Sequence, residues 1–382
     1  MTSIIILSYN TLSLTKMCIE SIRRHTQLGS YEIIVVDNGS EDGSVKWLRE
    51  QLDIRLIVNK ENKGFPGGCN QGLRVARGEE LLLLNSDTVV APRWLTQLKL
   101  ALYSDARIGA VSCMANTCAE VQRISVPYGN DMNAMTIFAD GYNHSDPTMW
   151  QRRIVLMGFC YLFRREVYEQ VGGLDEAMSP GNFEDDDYSL RIRAAGWKLL
   201  LCRDTFIHHF GSVSFLQSGN QAEYQKKMSR LQQLSWKNRE YLLTKWHLTA
   251  KYRTELPFIR RIEFSKPAPH ILLLDCGASE DAYTLQLRYP LAKIFAVTGC
   301  FADAMALAPD FPAKYCPDIG NNVFDELNGE YDAIVCCTAL DSYRDRGIFL
   351  GKLGEHLTIG GKVLYLLEGT LRMHENEICE MR

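Results

Sequence analysis

Four unbroken apolar runs in the first 85 residues constrain this chain more than any other feature. They are SIIILS (Ser3–Ser8), EIIVVD (Glu32–Asp37), RLIVN (Arg55–Asn59) and LLLL (Leu81–Leu84). A strand whose successive positions are all apolar needs cover on both faces, which an antiparallel surface sheet does not provide. Between the runs lie segments with helical spacing, such as Leu14, Cys18 and Ile22 on one face, and a shorter one through Val45 and Leu48. Continuous apolar strands alternating with amphipathic helices predict a parallel α/β sheet covered on both sides.

In such sheets ligands bind beyond the carboxyl ends of the strands. The residues just past each run are therefore the first candidates for a site. They are Ser8-Tyr9-Asn10, then Asp37-Asn38-Gly39-Ser40, then ENKGFPGGCNQG (Glu61–Gly72), then Asn85-Ser86-Asp87. All four polar clusters fall on one edge. From Arg107 to about Pro147 the pattern loosens, and an irregular, acceptor-facing section is expected there. Residues 217 to about 264 read as polar helices with aromatic anchors, KPAP (Lys266–Pro269) as a linker, and HILLLDCG from His270 as the start of a second α/β unit.

Composition excludes some functions. At 382 residues with 46% hydrophobic and 23% charged content, the chain is long enough for two domains. A formal net charge of -4 argues against a nucleic-acid binder. The longest nearly unbroken apolar run, Ile154 to Phe163, is about half of the ~20 residues that span a bilayer. MTSIIILSYN has no basic region before its first strand, so no secretory signal is expected. The 12 cysteines contain no CxxC pair. They read as small apolar fillers in a reducing, cytoplasmic setting.

Several residues carry chemistry with more than one reading. Asp87, at the exit of the leucine run, suits a hard cation such as Mg2+ or Mn2+ that binds a diphosphate, or simply a turn. Asp37 suits a ribose hydroxyl or base imide, or the turn at Asn38-Gly39. Gly64, Gly67 and Gly68 lack dinucleotide or Walker spacing; they either let backbone amides approach phosphates or shape a tight connection. Glu184, Asp185, Asp186 and Asp187 are consecutive acids at a helix start. Two would satisfy the helix dipole, whereas four repel one another and raise the proton affinity of at least one, as a general base requires. In His208-His209 one imidazole suits the same cation, or both are structural. A cation and amides on a leaving diphosphate, with a carboxylate to deprotonate a hydroxyl, amount to group transfer from an activated nucleotide.

The motifs IIILSYN, EIIVVDNGSEDGS, NKGFPGGCNQGL, LLLLNSD, GFCYLFRREVYEQVGGLDE, FEDDDYSLRIRAAG and HHFGSVSF occur in the order of a known family. Residues 1 to about 250 resemble the family 2 glycosyltransferases of GT-A fold. The resemblance implies a nucleotide-sugar-binding Rossmann-like domain over residues 1–216. It further implies inverting transfer of a sugar to an acceptor hydroxyl by metal-assisted single displacement. Asp37, with Ser8, Tyr9 and Asn10, would contact the donor nucleoside, and Asn62, Gly64, Asn70, Asn85 and Ser86 would complete the donor site. Asp87 would be the metal acid of the DxD-type motif, whose first acid is here Asn85, and His209 fits the HxGSxS spacing better than His208. Asp185 would be the catalytic base, supported by Glu184 and Asp187. The cofactor implied is Mn2+ or Mg2+. The acceptor would be a polysaccharide, a lipid-linked glycan met peripherally at the inner face of a membrane, or a protein.

After a helical connector (217–265), residues 266–382 resemble, less specifically, a class I methyltransferase core. ILLLDCGAS, FAVTGCFADAMALA, YDAIVCCTALD and LGEHLTIGGKVLYLL follow that order. Ser279 stands where a glycine is expected and Phe301 where an acid would grip a ribose. The chain reads as ending after a fifth strand. A truncated, non-catalytic domain serving contact or homodimerisation is expected. The other readings are a nucleotide-sugar-binding scaffold without catalysis and a bifunctional glycosyltransferase/methyltransferase.

Overall fold

The computed structural model describes residues 1–118, 120–129, 131–211, 221–327, 329–343 and 345–375. Ser212 to Phe215 of the HHFGSVSF motif and the 216/217 domain boundary lie outside them. The chain divides into two units, Met1–Glu240 and Tyr241–Arg382. Residues 241–265, expected in the connector, thus belong to the second unit.

The first unit is built on a mixed sheet. Strands β1 (Thr2–Ser8), β2 (Tyr31–Asp37), β3 (Ile54–Val58) and β4 (Glu80–Asn85) are the four apolar runs. They are followed by β5 (Thr88–Val89), β6 (Ile108–Ala115), β7 (Trp150–Arg152), β8 (Cys160–Arg164) and β9 (Lys198–His209). Among the described residues the order is β3-β2-β1-β4-β8-β6-β9-β5, with β7 on β9. The β1–β2, β2–β3 and β1–β4 pairs are parallel, and β8 enters antiparallel between β4 and β6. The helices are α1 (Leu12–His25), α2 (Ser44–Arg49), α3 (Gly64–Val75), α4 (Trp94–Leu102), α5 (Met132–Tyr142), α6 (Arg165–Val171), α7 (Glu184–Ala194) and α8 (Gln221–Trp246).

Both faces of the sheet are buried, as the apolar runs require. Ile4 and Ile6 pack with Ile19, Ile22, Leu82 and Leu84, while Ile5 packs with Leu73, Leu81 and Leu83 on the other side. Each buried aliphatic side chain contributes about 1.5–3 kcal/mol. The glycines of α3 serve this packing. A Cβ on Gly68 would sit 2.2 Å from Leu7 Cδ1 and one on Gly72 would sit 2.4 Å from Ile5 Cγ2. They let the helix lie directly on the end of β1.

The section expected to be irregular contains β6, all eight residues of which are buried. Its sequence, IGAVSCMA, is too small and weakly hydrophobic to stand out. Gly109 is required because a Cβ there would meet Trp197 Cβ at 2.7 Å.

The second unit has a six-stranded sheet ordered β12-β11-β10-β13-β14-β15. Its strands are β10 (His270–Leu274), β11 (Lys293–Thr298), β12 (Ala313–Tyr315), β13 (Tyr331–Cys336), β14 (Leu357–Leu367) and β15 (Thr370–Glu375). A sixth strand follows the expected fifth: β15 returns antiparallel along β14. Glu368 and Gly369, with φ of 50° and 72°, form the two-residue turn between them. β15 is exposed throughout, so no apolar alternation betrays it in the sequence. The described cysteines are free thiols, and among the described residues no helix is long and apolar enough to cross a membrane.

Candidate active site

Three carboxylate-bearing groups are set by the carboxyl ends of β2, β4 and β9 and by the start of α7. The first centres on Asp37. Ser8 pairs with Asp37 across β1–β2, and Leu7 with Asn85 across β1–β4. With strands about 4.8 Å apart, Asp37 and Asn85 therefore flank the end of β1 at roughly 10 Å from each other. Asp37 Oδ1 accepts from the amides of Gly39 (3.1 Å) and Ser40 (2.8 Å), whereas Oδ2 is buried without a partner. A buried carboxylate oxygen left unpaired is costly and marks a place for a donor group.

The loops around Asp37 are tied to one another. Asn10, at φ 53°, donates its amide to Ser40 Oγ (2.9 Å), and its Oδ1 accepts from Glu41 N (2.8 Å). Ser8 and Ser86 are linked through hydroxyls, Ser8 to Thr15 (3.1 Å), Thr15 to Thr11 (3.2 Å) and Thr11 to Ser86 (3.3 Å). Asn38, a member of the polar cluster after β2, donates to Asn62 Oδ1 and the Gly64 carbonyl, both at 3.1 Å, and accepts from Asn59 at 2.9 Å. Asn62 in turn accepts from Gly64 N at 2.8 Å. This amide web fixes the start of α3. Gly64, at φ 75°, leaves no room for a Cβ, which would lie 2.9 Å from Ser179 Oγ. Asn70 faces elsewhere. It donates to the Leu174 carbonyl and Glu176 Oε1, each at 2.9 Å, and accepts from Leu174 N at 2.7 Å, so it clamps the 174–176 segment. Tyr9 is half-buried in the loop after β1.

The second group joins Asp87 to His209. The antiparallel β5–β9 ladder, with Thr88 opposite His209, brings two residues 122 positions apart into contact. His209 Nδ1 lies 2.6 Å from the Thr117 carbonyl oxygen. That oxygen only accepts, so Nδ1 carries the ring proton and Nε2 of the neutral ring presents a lone pair. Nε2 is 3.2 Å from Asp87 Oδ1 and 3.4 Å from Asn85 Nδ2. In the neutral ring two lone pairs thus face each other, an arrangement that either a proton or a cation relieves. Asn116 Oδ1 accepts from His209 N (2.8 Å), and Phe159 stacks on the imidazole at 5.1 Å and 16°.

His208 points the opposite way. Its Nδ1 is 2.8 Å from Tyr128 OH, and its Nε2 is buried without a partner. Burial, then the neighbouring His209, pull its pKa down from 6.5 to about 4. It is a neutral ring of the aromatic core.

The pair Asp87–His209 fits a hard divalent cation. Adjacent ligands of an octahedral ion with bonds of about 2.1 Å are about 3.0 Å apart, near the spacing found. The Thr117 carbonyl sets the tautomer and ring angle, as partners of metal-binding histidines do. Among the described residues no three His, Cys, Asp or Glu side chains converge on one point. Two protein ligands would leave the other positions to phosphate oxygens and water, the habit of Mg2+.

The third group is the acidic start of α7. Asn182 and Phe183 enter it with φ of 76° and 69°. Asn238 of α8 holds this turn, its amide nitrogen lying 2.8–3.0 Å from the carbonyls of Met178, Gly181 and Asn182. The four acids have separate fates. Asp187 binds Arg191 at 2.8 Å, and Arg191 also caps the carbonyls of Val171 and Gly173. Glu184 is buried with Oε2 unpartnered. Burial first, then Asp185 and Asp186, push its carboxyl well above the usual range. Desolvation thus outweighs crowding in favouring its neutral form. Asp185 is half-buried; its Oδ2 accepts from Gly158 N (2.8 Å) and its Oδ1 from Asp186 N (3.0 Å).

Gly158 and Phe159 connect the second and third groups. Gly158 N holds Asp185, while the Phe159 carbonyl accepts from Asn85 N (2.9 Å) and its ring covers His209. Adjacent Cα atoms are about 3.8 Å apart, so the residue that holds Asp185 neighbours the one that contacts Asn85 and His209. Sequence reasoning missed Gly158, Phe159, Asn116 and Thr117; the last two lie in the stretch expected to be irregular.

Part of the chain is similar to known proteins. The model of glycosyl transferase family 2 matches residues 3–172. An uncharacterised protein of Sinorhizobium fredii, y4gI, is 28% identical over 233 residues, covering 56% of this chain and 24% of its own. The O-antigen biosynthesis protein RfbC of Myxococcus xanthus is 29% identical over 231 residues, covering 56% of this chain and 17% of its own. The chain thus spans a minor part of either relative. Among solved structures, the mannosyltransferase PcManGT of Pyrobaculum calidifontis, in complex with GDP-Man and Mn2+, superposes with a TM-score of 0.43 at 21% identity. It covers 57% of this chain and 58% of its own.

Proposed function

We propose, for a chain whose residues 3–172 match the model of glycosyl transferase family 2, that the first unit moves a sugar from a nucleotide donor to an acceptor hydroxyl in one inverting displacement of GT-A type. The observation that carries this reading is the Gly158–Phe159 dipeptide. Gly158 N holds the half-buried carboxylate of Asp185, and the Phe159 ring stacks on His209, the partner of Asp87. Asp185 takes the proton of the acceptor hydroxyl as its oxygen bonds to the anomeric carbon. The bond from that carbon to the donor phosphate breaks on the opposite side, and the nucleoside diphosphate leaves. Such proton removal contributes typically 10²- to 10⁴-fold in rate.

Asp87 and His209, with the Asn85 carboxamide beside them, would hold a divalent cation, whose chemistry there would be to neutralise charge on the departing diphosphate. Asp37 Oδ2 receives a donor group of the nucleoside, the hydrogen bond it now lacks. Burial favours the neutral form of Glu184, the residue before Asp185, which limits negative charge beside the base. Ser8, Asn62, Gly64 and Ser86 shape the loops around the donor, and Tyr9 and Asn10 lie where the nucleoside enters. Asn70 stays outside this proposal.

The test is a panel of nucleotide sugars incubated with the full chain and Mn2+, with and without chelator, scored for released nucleoside diphosphate. Metal-dependent release from one donor, abolished in Asp185→Asn but with donor binding retained, is the expected result. Donor binding with no turnover across the panel and a set of acceptors would instead make the chain a nucleotide-sugar-binding scaffold.

A further inference from the structure

In an open α/β sheet the ligand crevice lies where the strand order reverses, beyond the carboxyl ends. In the second unit that place is between β10 and β13, with β11 alongside. The loops there have the parts of a site: Asp275 at φ 58° and Gly277 at φ 61° after β10, Asp303 after β11, and Thr338 after β13. The crevice already has an occupant, however, which comes from this chain itself.

Residues 247–256, directly after α8, run across all three strand ends. Lys251 Nζ donates to the Asp275 carbonyl (2.5 Å), to Asp275 Oδ2 (2.6 Å) and to the Thr338 hydroxyl, which also donates to Asp275. Thr249 donates its hydroxyl to Asp303 Oδ2 (2.6 Å) and its amide to Oδ1 (3.3 Å). The backbone is stitched as well. Arg253 N donates to the Ala278 carbonyl (3.0 Å), Glu280 N to the Thr254 carbonyl (2.8 Å) and Leu256 N to Asp281 Oδ1 (2.8 Å). At Gly277 the approach is so close that a Cβ would fall 2.6 Å from Lys251 Cβ and 3.1 Å from Thr249 Oγ1. The glycine that would let a cofactor near the loop instead admits the lysine stem.

We propose that residues 247–256 are a built-in occupant of this crevice, a strap that excludes nucleoside-type ligands and makes the second unit a non-binding module. The ammonium of Lys251 fills the position of a ligand's polar group, and Thr249 uses the acid after β11. Phe301, where the sequence lacks an acid, is therefore secondary: even with a carboxylate there the space is filled.

Calorimetry of the full chain with S-adenosylhomocysteine, together with amide hydrogen exchange, tests this. Expected are no saturable binding in the wild type and exchange at Arg253, Leu256 and Glu280 as slow as in β10. Lys251→Ala should speed exchange in residues 249–256 and 277–281 together by about tenfold or more, since charge-assisted hydrogen bonds are lost. If that variant does not fold, Thr249→Val, which removes one hydroxyl, should give the same paired change at smaller amplitude. Saturable binding by the wild type with protection at 275–281 would overturn the proposal. So would variants in which the two segments exchange independently or are unaffected.

Discussion

Asp185→Asn separates chemistry from folding most cleanly. The carboxylate accepts two backbone amides, Gly158 N at Oδ2 and Asp186 N at Oδ1. An asparagine keeps one oxygen, so one amide must face an NH2 group. Leaving a buried amide unpaired costs about 1–3 kcal/mol, and the lower end applies because Asp185 is half-exposed. For a unit of this size about 1 kcal/mol lowers Tm by roughly 2–4 °C. Losing the base should cut turnover about 10²- to 10⁴-fold, or roughly 2.7–5.4 kcal/mol of barrier at 1.36 kcal/mol per decade. The kinetic loss thus exceeds the stability loss by enough to distinguish them. Released nucleoside diphosphate at a temperature well below both Tm values, with donor affinity from calorimetry, reads each quantity. Turnover within about fivefold of wild type with donor affinity unchanged would refute the assignment of Asp185 as base.

Three other outcomes follow from the same geometry. His209→Ala should raise the Mn2+ concentration for half-maximal donor turnover by about tenfold or more with little change in Tm; unchanged metal dependence would leave the imidazole structural. Glu184→Gln should raise stability in alkaline solution. The carboxyl's folded pKa is raised, so its favourable contribution is full below the unfolded value and is lost as pH rises through the folded one, a loss that glutamine lacks; melting curves from pH 5 to 9 that run parallel for both proteins would contradict this. Gly64→Ala should destabilise by about 1 kcal/mol or more, because alanine disfavours φ 75° and its Cβ meets Ser179 Oγ at 2.9 Å; denaturant melts read the loss.

The strands that support the site were legible because burial on both faces leaves a composition signal. SIIILS and LLLL became β1 and β4 almost residue for residue. The site's connections were not. The contact of Asp87 with His209 depends on β5, a strand of two residues too short for any periodicity. The tautomer of His209 depends on a backbone carbonyl, at Thr117, which any residue could supply. The glycines of GFPGGCNQG drew attention as phosphate binders, yet Gly68 and Gly72 answer to Leu7 and Ile5, strand residues some 60 positions earlier. Among four adjacent acids the sequence could not tell which is desolvated. Only the packing around Glu184 distinguishes it from Asp185.

Gly158 and Phe159 are joined by one peptide unit; the first holds Asp185 by a hydrogen bond and the second stacks on His209. A planar peptide neither stretches nor bends appreciably at ordinary temperatures. Loops on either flank can move while these two contacts stay joined through one peptide. On the proposed reading, fitting a larger or smaller acceptor would then fall to the surrounding loops, because both contacts rest on this one dipeptide.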